Sequence, residues 1–250
     1  MIRPKTDKEI ELMRYGGKEL ARIIKLLSKK VTPGVSGKEI AKLALQEIKA
    51  ADLEPVLMGY QGFPDCICIS LNQAVVHGIP SSEKFKEGDL VKLDLTVGYK
   101  GMVVDSAITA IASDKPINQD VKRLIEGTRR ALDAGIAAIK GDGTRVGDIS
   151  AAIEDELNRN HLGIVRDLVG HGVGYGVHEE PNVPNYGSRG SGPKLTTGTT
   201  IAVEPMATLG TWQVGVLKDG WTVITRDGSL AGNFEHTVLV TDNGAEILTL

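Results

Sequence analysis

The sequence predicts an α+β fold of two similar halves, each a helix pair followed by strands, with the strands joined in one sheet that the helices cover. Three observations predict it. Hydrophobic residues recur at helical spacing in two separate stretches, and each stretch gives way to short runs of strand-like alternation. The halves, roughly 1–112 and 113–250, repeat that order without repeating the residues, so the duplication is one of pattern rather than of sequence. No linker or low-complexity segment separates them, and residues 1–250 read as a single domain.

The first helix starts after Thr6 and the second after Ser36. Each stands three residues before a glutamate, Glu9 or Glu39, which is the spacing of the reciprocal capping box. Apolar residues then follow at helical intervals: Ile10, Met13, Leu20, Ile23, Ile24 and Leu27 in one, Ile40, Leu43, Leu45 and Ile48 in the other. "VTPGVSG" is the turn between them. From 56 to 112 the pattern shortens to the β-like runs "CICISL", "QAVVHGIP", "DLVKLDLTVGY" and "GMVVDSAITAIA". Tyr99–Lys100, flanked by Gly98 and Gly101, is the expected hairpin loop between the last two. A second helix pair, "INQDVKRLIEGTRRALDAGIAAIK" and "VGDISAAIEDELNRN", is divided by the turn "GDGTR". Strands return in "TTIAVEPMAT", "GWTVITRDG" and "NFEHTVLVTDNGAEILTL".

Composition narrows the function. A hydrophobic fraction of 41% and a charged fraction of 24% are those of an ordinary soluble domain. A net charge of −3 argues against binding nucleic acid by bulk electrostatics, and the cations in "SEKFKEGDLVK" and "VKRLIEGTRR" read as solvated faces. The N-terminal stretch is charged throughout, unlike a signal peptide, and no apolar run reaches the ~18–20 residues of a membrane span. Cys66 and Cys68 are too few for a disulfide framework; alternation would put both on one strand face as small buried hydrophobes. A reducing cytoplasm is the expected compartment.

Four acids sit where strands should be apolar. With Tyr99–Lys100 as the loop, Asp94 falls directly opposite Asp105, and like charges opposite one another on a half-buried ladder are destabilising. A divalent cation between them removes the conflict. Glu204 in "TIAVEPMA" and Glu235 in "NFEHTVLV" repeat the anomaly, since buried charges are rare unless paired or bound to metal. His171, in the glycine-rich "VGHGVGYGVHEEP", adds one imidazole. Four carboxylates and one nitrogen would balance two divalent cations, and this donor set suits Mn, Fe, Co or Zn in a catalytic rather than a structural site. Two such ions ~3.5–4 Å apart around an acidified water form a general hydrolytic device. The alternating glycines do not follow a phosphate-binding fingerprint, and no helix clearly begins after them.

These segments, taken in order, resemble the pita-bread metallopeptidases, and among them the shorter, type I methionine aminopeptidases. "VVHGIP" at 75–80, "KLDLTV" with "VVDSA" at 92–107, "GHGVGYGVHEEP" at 170–181, "IAVEPM" at 201–206 and "FEHTVLVTDNGAEILT" at 234–249 carry the likeness, which spans nearly the whole chain. The resemblance implies a pita-bread fold with one curved antiparallel sheet. It places metal ligands on Asp94, Asp105, His171, Glu204 and Glu235, the same five that the charge balance singles out. It implies a hydroxide bridging two divalent ions (Co, Mn, Fe or Zn) that attacks the carbonyl of an N-terminal methionine, with a small second residue preferred. His178 matches a substrate-contacting histidine placed to stabilise the tetrahedral intermediate, His77 one approaching from the opposite side, and Glu204 a proton shuttle. The implied side-chain pocket draws on Tyr60, Phe63, Cys68 and Trp221, aromatic rings and a thiol that suit a thioether. The implied partners are N-termini of nascent polypeptides near the ribosome, with no nucleic acid, no membrane and a monomeric chain. Asn72–Gln73 stands where members commonly have Asn-Glu. Glu204 and Glu235 are 31 residues apart, too close for the helical insertion of type II enzymes.

His161 reads as a helix-end residue, and His236 as a residue of the opposite strand face beside the ligand Glu235. Two other functions compete: another pita-bread peptidase such as a Xaa-Pro peptidase, and a non-catalytic pita-bread binding module. Such modules typically lose ligands, and all five are present here.

Overall fold

The computed structural model describes residues 2–250. Among these residues four α-helices lie at α1 (Asp7–Ser28), α2 (Gly37–Ala50), α3 (Gln119–Ala137) and α4 (Val146–Arg159). Fourteen strands fill the two intervals after the helix pairs. The first holds β1 (Cys68–Leu71), β2 (Ala74–Val76), β3 (Asp89–Tyr99) and β4 (Met102–Ala112). The second holds β5 (Gly163–Ile164), β6 (Gly170–Gly172), β7 (Glu179–Val183), β8 (Thr200–Val203), β9 (Met206–Thr208), β10 (Val214–Val216), β11 (Val223–Thr225), β12 (Ala231–Asn233), β13 (Glu235–Thr241) and β14 (Gly244–Ile247). The expected capping boxes start α1 and α2: Thr6 and Ser36 accept from the amides of Glu9 and Glu39, whose carboxylates reach back to the cap amides.

The main sheet runs β1-β3-β4-β13-β8-β6-β7, with β14 on β13, and every pairing in it is antiparallel. Its sides differ because side chains alternate. Val91, Leu93, Leu95 and Val97 point from β3 into a core with Leu20, Ile23, Leu27 and Ile48 of α1 and α2. Ile201, Val203, Val238 and Val240 pack with Leu124, Leu132, Ile149 and Ile153 of α3 and α4. The helices therefore cover one face of the sheet. Two three-stranded sheets, β10-β11-β2 and β12-β9-β5, complete the fold.

The join between β4 and β13 is short. Backbone pairing covers only Glu235↔Ala107 and His236↔Ser106. Hydroxyls continue it: Thr237 Oγ1 accepts from the Asp105 amide and donates to the Asp105 carbonyl, each at 2.8 Å, while Ser106 Oγ donates to the Glu235 carbonyl at 2.8 Å and Thr109 Oγ1 to that of Asn233 at 2.7 Å.

Four expectations need correction. The hairpin loop is Lys100–Gly101, not Tyr99–Lys100; both take positive φ (49° and 83°), the requirement of a two-residue turn matched to strand twist. The register shifts by two, so Asp94 faces Ala107 and Asp105 faces Thr96, leaving the aspartates diagonal on one face. Cys66 lies ahead of β1 with its Sγ near the Ala41 carbonyl of α2, whereas Cys68 lies opposite Asp94 on the other side of the sheet, so the two thiols do not share a face. Glu204 sits just past β8 rather than inside it, since Pro205 has no amide proton to extend the ladder.

Candidate metal centre

Alternation brings five donors to the face of the sheet that the helices leave free. Asp94 points from β3, Asp105 from β4, Glu235 from the first position of β13, and His171 from the middle of β6; Glu204 follows the end of β8. All five line one cavity. Ligand atoms of Asp105, His171 and Glu235 all lie within 4.8 Å of one another, and Glu204 Oε1 is 3.4 Å from His171 Nε2. Asp105, His171 and Glu235 are buried, and Asp94 and Glu204 are half-buried.

The electrostatics are those of a site that lacks positive charge. Burial raises the pKa of Asp94, Glu204 and Glu235 well above the carboxylate range, and each is raised further by its neighbours' negative charge. Burial pushes Asp105 up to about 6, against hydrogen bonding from Thr96. Ionising several carboxylates together in such a space would cost several kcal/mol per group if no cation entered.

Two observations show that the donors fit a metal. The Asp105 Oδ1 is buried without a hydrogen-bond partner, an expensive position for a carboxylate oxygen. The His171 imidazole has its pKa lowered by burial, so it is neutral near pH 7, and its Nδ1 lies 2.9 Å from the Gly172 carbonyl oxygen. Nδ1 must carry the proton to donate to that carbonyl, which leaves the Nε2 lone pair facing Glu204. That lone pair and the Glu204 oxygen, 3.4 Å apart, offer a cation two adjacent donor atoms once Glu204 gives up its proton.

The remaining predicted residues surround this centre. His178 lies across a tight turn from His171, the ring centroids 4.4 Å apart, and its Nδ1 is 3.1 Å from the Tyr60 hydroxyl. Partial burial, and then the nearby His171, lower the His178 pKa. His77 lines the cavity from just past β2, in the left-handed region at φ 59°, its pKa also lowered by burial. The following Gly78 amide donates to Ser70 Oγ at 2.9 Å, and its carbonyl accepts from Ile69 N at 2.8 Å, so β1 holds this bend in place. Phe63, Cys68, Tyr60 and Trp221 gather in one apolar cluster against Leu57, Val173 and Val177; Phe63 meets Trp221 edge-on at 5.2 Å. Of these four, only Cys68 lines the cavity that holds the acids.

His236 stands apart: its Nδ1 is 2.9 Å from Thr249 Oγ1, on the helix-covered face. His161 follows the end of α4 at φ 51°. Gln73 is exposed, and its carbonyl accepts from Thr225 N at 3.0 Å, so the glutamine in place of glutamate disturbs nothing around the acids. Sequence reasoning missed Leu57, Thr96 and Val177 as lining residues. Thr96 was within reach, since it lies two residues from Asp94 and so shares its face. Lys92, on that face too, was also passed over. It is fully buried, its Nζ donates to the Asn72 carbonyl at 2.8 Å, and burial pushes its pKa down to about 7.

The model of metallopeptidase family M24 matches residues 11–242. A methionine aminopeptidase of Clostridium perfringens is 42% identical over 250 residues, covering 100% of this chain and 99% of its own. Methionine aminopeptidase 1 of Bacillus subtilis is 40% identical, with 100% and 99% coverage. A solved methionine aminopeptidase from Thermotoga maritima superposes with a TM-score of 0.96 at 43% identity, over 100% of this chain and 99% of that one. A prolidase from Pyrococcus furiosus shares the fold, with a TM-score of 0.78 at 23% identity over 99% of this chain and 65% of that one.

Proposed function

We infer the activity of this chain from the premise that it belongs to metallopeptidase family M24: it is a metal-dependent aminopeptidase that hydrolyses the N-terminal methionine from nascent proteins and peptides. The observation that carries this is the set of five donors around one cavity, with the His171 lone pair facing a carboxylate, beside an apolar cluster of aromatic rings and a thiol. Asp94, Asp105, His171, Glu204 and Glu235 would hold two divalent ions of the Co, Mn, Fe or Zn class. Bound there, such ions supply Lewis acidity and an acidified water.

The chain's own residues do the rest. Glu204, half-buried at the edge of the cluster, takes the proton released by the attacking water and returns it to the leaving amine. The Tyr60 hydroxyl lies 3.1 Å from His178 Nδ1; donating there, it would fix the proton on Nε2 and make that atom a donor for the developing oxyanion. His77 bonds the substrate from the other side of the cavity. Tyr60, Phe63, Cys68 and Trp221 accept the methionine side chain, and substrates with a small second residue are preferred. The chain acts on nascent N-termini near the ribosome as a cytoplasmic monomer, and no helix among the described residues is long and apolar enough to cross a membrane. Residues 1–250 form one catalytic domain, with ligands drawn from both 1–112 and 113–250.

Metal-stripped protein, with single divalent metals added back, should release free methionine from Met-Ala-Ser and leave a Xaa-Pro peptide intact. No release with any metal overturns the assignment. Cleavage of the Xaa-Pro peptide instead makes it a different peptidase of the same fold.

A further inference from the structure

The turn between His171 and His178 is gripped from outside by the segment that precedes α1. Lys5 is buried, its side chain only 2% exposed, and its Nζ lies 2.9 Å from Glu179 Oε2. The other oxygen of Glu179 accepts from the amides of Tyr175 and Gly176, the latter at 2.8 Å. Arg3 stacks its guanidinium 3.8 Å from the centre of the Tyr175 ring, and the Tyr175 hydroxyl donates to Glu9 at 2.9 Å. The arm is anchored at its back by the Lys5 amide, which donates to the Gly198 carbonyl at 2.8 Å. The Lys5 stem crosses Gly174, where φ is +141° and a Cβ would overlap the lysine Cε. Glu179 is the residue after His178. Its carboxylate thus binds the turn on one oxygen and the arm on the other.

None of these groups lines the metal cavity, and a surface of ordinary loops would not need a buried lysine paired to a half-buried glutamate across 174 residues of sequence. Charges so placed are costly unless geometry repays them, and their best-attested use is to fix one arrangement over others. We propose that Lys5 is a positioning residue: paired with Glu179, it latches the turn 173–178 and sets the His178 imidazole over the metal centre. This rests on the aminopeptidase reading for the role of His178, while the latch itself is a property of the turn. Misplacing a transition-state donor by about 1 Å costs on the order of a hundredfold in rate.

Lys5→Met, which keeps the stem and removes the charge, should lower kcat on Met-Ala-Ser by about ten- to a hundredfold, with KM and bound metal little changed. In a His178→Ala background the same change should add less than about twofold, because both act through one side chain. A loss that multiplies fully onto His178→Ala, or no loss in either background, overturns the proposal. Amide exchange separates it from the activity assignment: Tyr175 and Gly176 should exchange faster in Lys5→Met. Unchanged exchange sinks the latch even in an active enzyme. Faster exchange in a protein that releases no methionine keeps the latch and rejects the reaction. If Lys5→Met does not fold, Glu179→Gln, which keeps shape and an acceptor for the turn, carries the same comparisons.

Discussion

The imidazoles of His171 and His178 meet at 63° with centroids 4.4 Å apart, although seven extended residues would hold them ~23 Å apart. The chain doubles back between them and brings both to one cavity, one with its Nε2 lone pair turned toward the carboxylates, the other held by Tyr60. Their roles should separate under mutation. His178→Ala should lower kcat by about a hundred- to a thousandfold, the loss of one oxyanion donor, with metal content retained. Asp105→Ala should lose metal. Metal analysis showing equal loss in both would contradict the division of labour.

Without metal, Asp105 is a liability whose sign follows from its environment. Burial pushes its folded-state pKa up to about 6 from an ordinary 3.8, so the folded chain holds this proton more tightly than the unfolded chain. The associated stability is present below the ordinary value and is lost as pH rises through the folded one. Asp105→Asn cannot ionise. In chelator it should therefore resist urea better than the wild type at pH 7, and this advantage should vanish below pH 3.8. Excess divalent metal should reverse the order at pH 7. An advantage that does not change with pH would refute the account.

Both thiols should be inert in the folded protein. Burial raises Cys66 to about 12 and Cys68 well above its ordinary value, the latter reinforced by Asp94. The thiolate is the reactive form, so alkylation by iodoacetamide at pH 8 should be at least about a hundredfold slower than in the unfolded chain. Mass spectrometry of the two cysteine peptides would show this, and rapid labelling of native Cys68 would count against a closed apolar pocket.

The glycines of "VGHGVGYGVHEEP" are not equivalent. A Cβ at Gly172 would overlap the Glu180 carbonyl oxygen of the partner strand, whereas one at Gly176 meets nothing closer than 3.8 Å. Gly172→Ala should cost about 1–3 kcal/mol by forcing β6 and β7 apart, and Gly176→Ala should stay within about 0.5 kcal/mol of wild type. Thermal melts of the metal-loaded variants would rank them, and equal melting temperatures would show that β7 yields freely.

Most of the fold was legible because its signals are local. Thr6 with Glu9 and Ser36 with Glu39 announce helices within four residues, and the apolar spacing of α1 needs no partner to be read. The acids were legible for a different reason: a carboxylate in an apolar strand is conspicuous wherever it occurs. The exact pairing of Asp94 and Asp105 was not. Glycines flank Tyr99–Lys100 on both sides, and only the demand for positive φ at both loop residues chooses Lys100–Gly101. Lys5 and Glu179 lay beyond any sequence rule, because a contact across 174 residues leaves no periodic trace.

The short ladder between β4 and β13 has a consequence for how the centre is assembled. Asp94 and Asp105 lie on one side of that join, and His171, Glu204 and Glu235 on the other. A long run of amide-to-carbonyl pairs could slide by two residues and still be satisfied, carrying one set of donors past the other. Hydroxyls at Ser106, Thr109 and Thr237 cannot slide in that way, since each finds its acceptor at a single offset. The spacing of the two groups of ligands is thus keyed by three side-chain oxygens, like teeth cut for one lock.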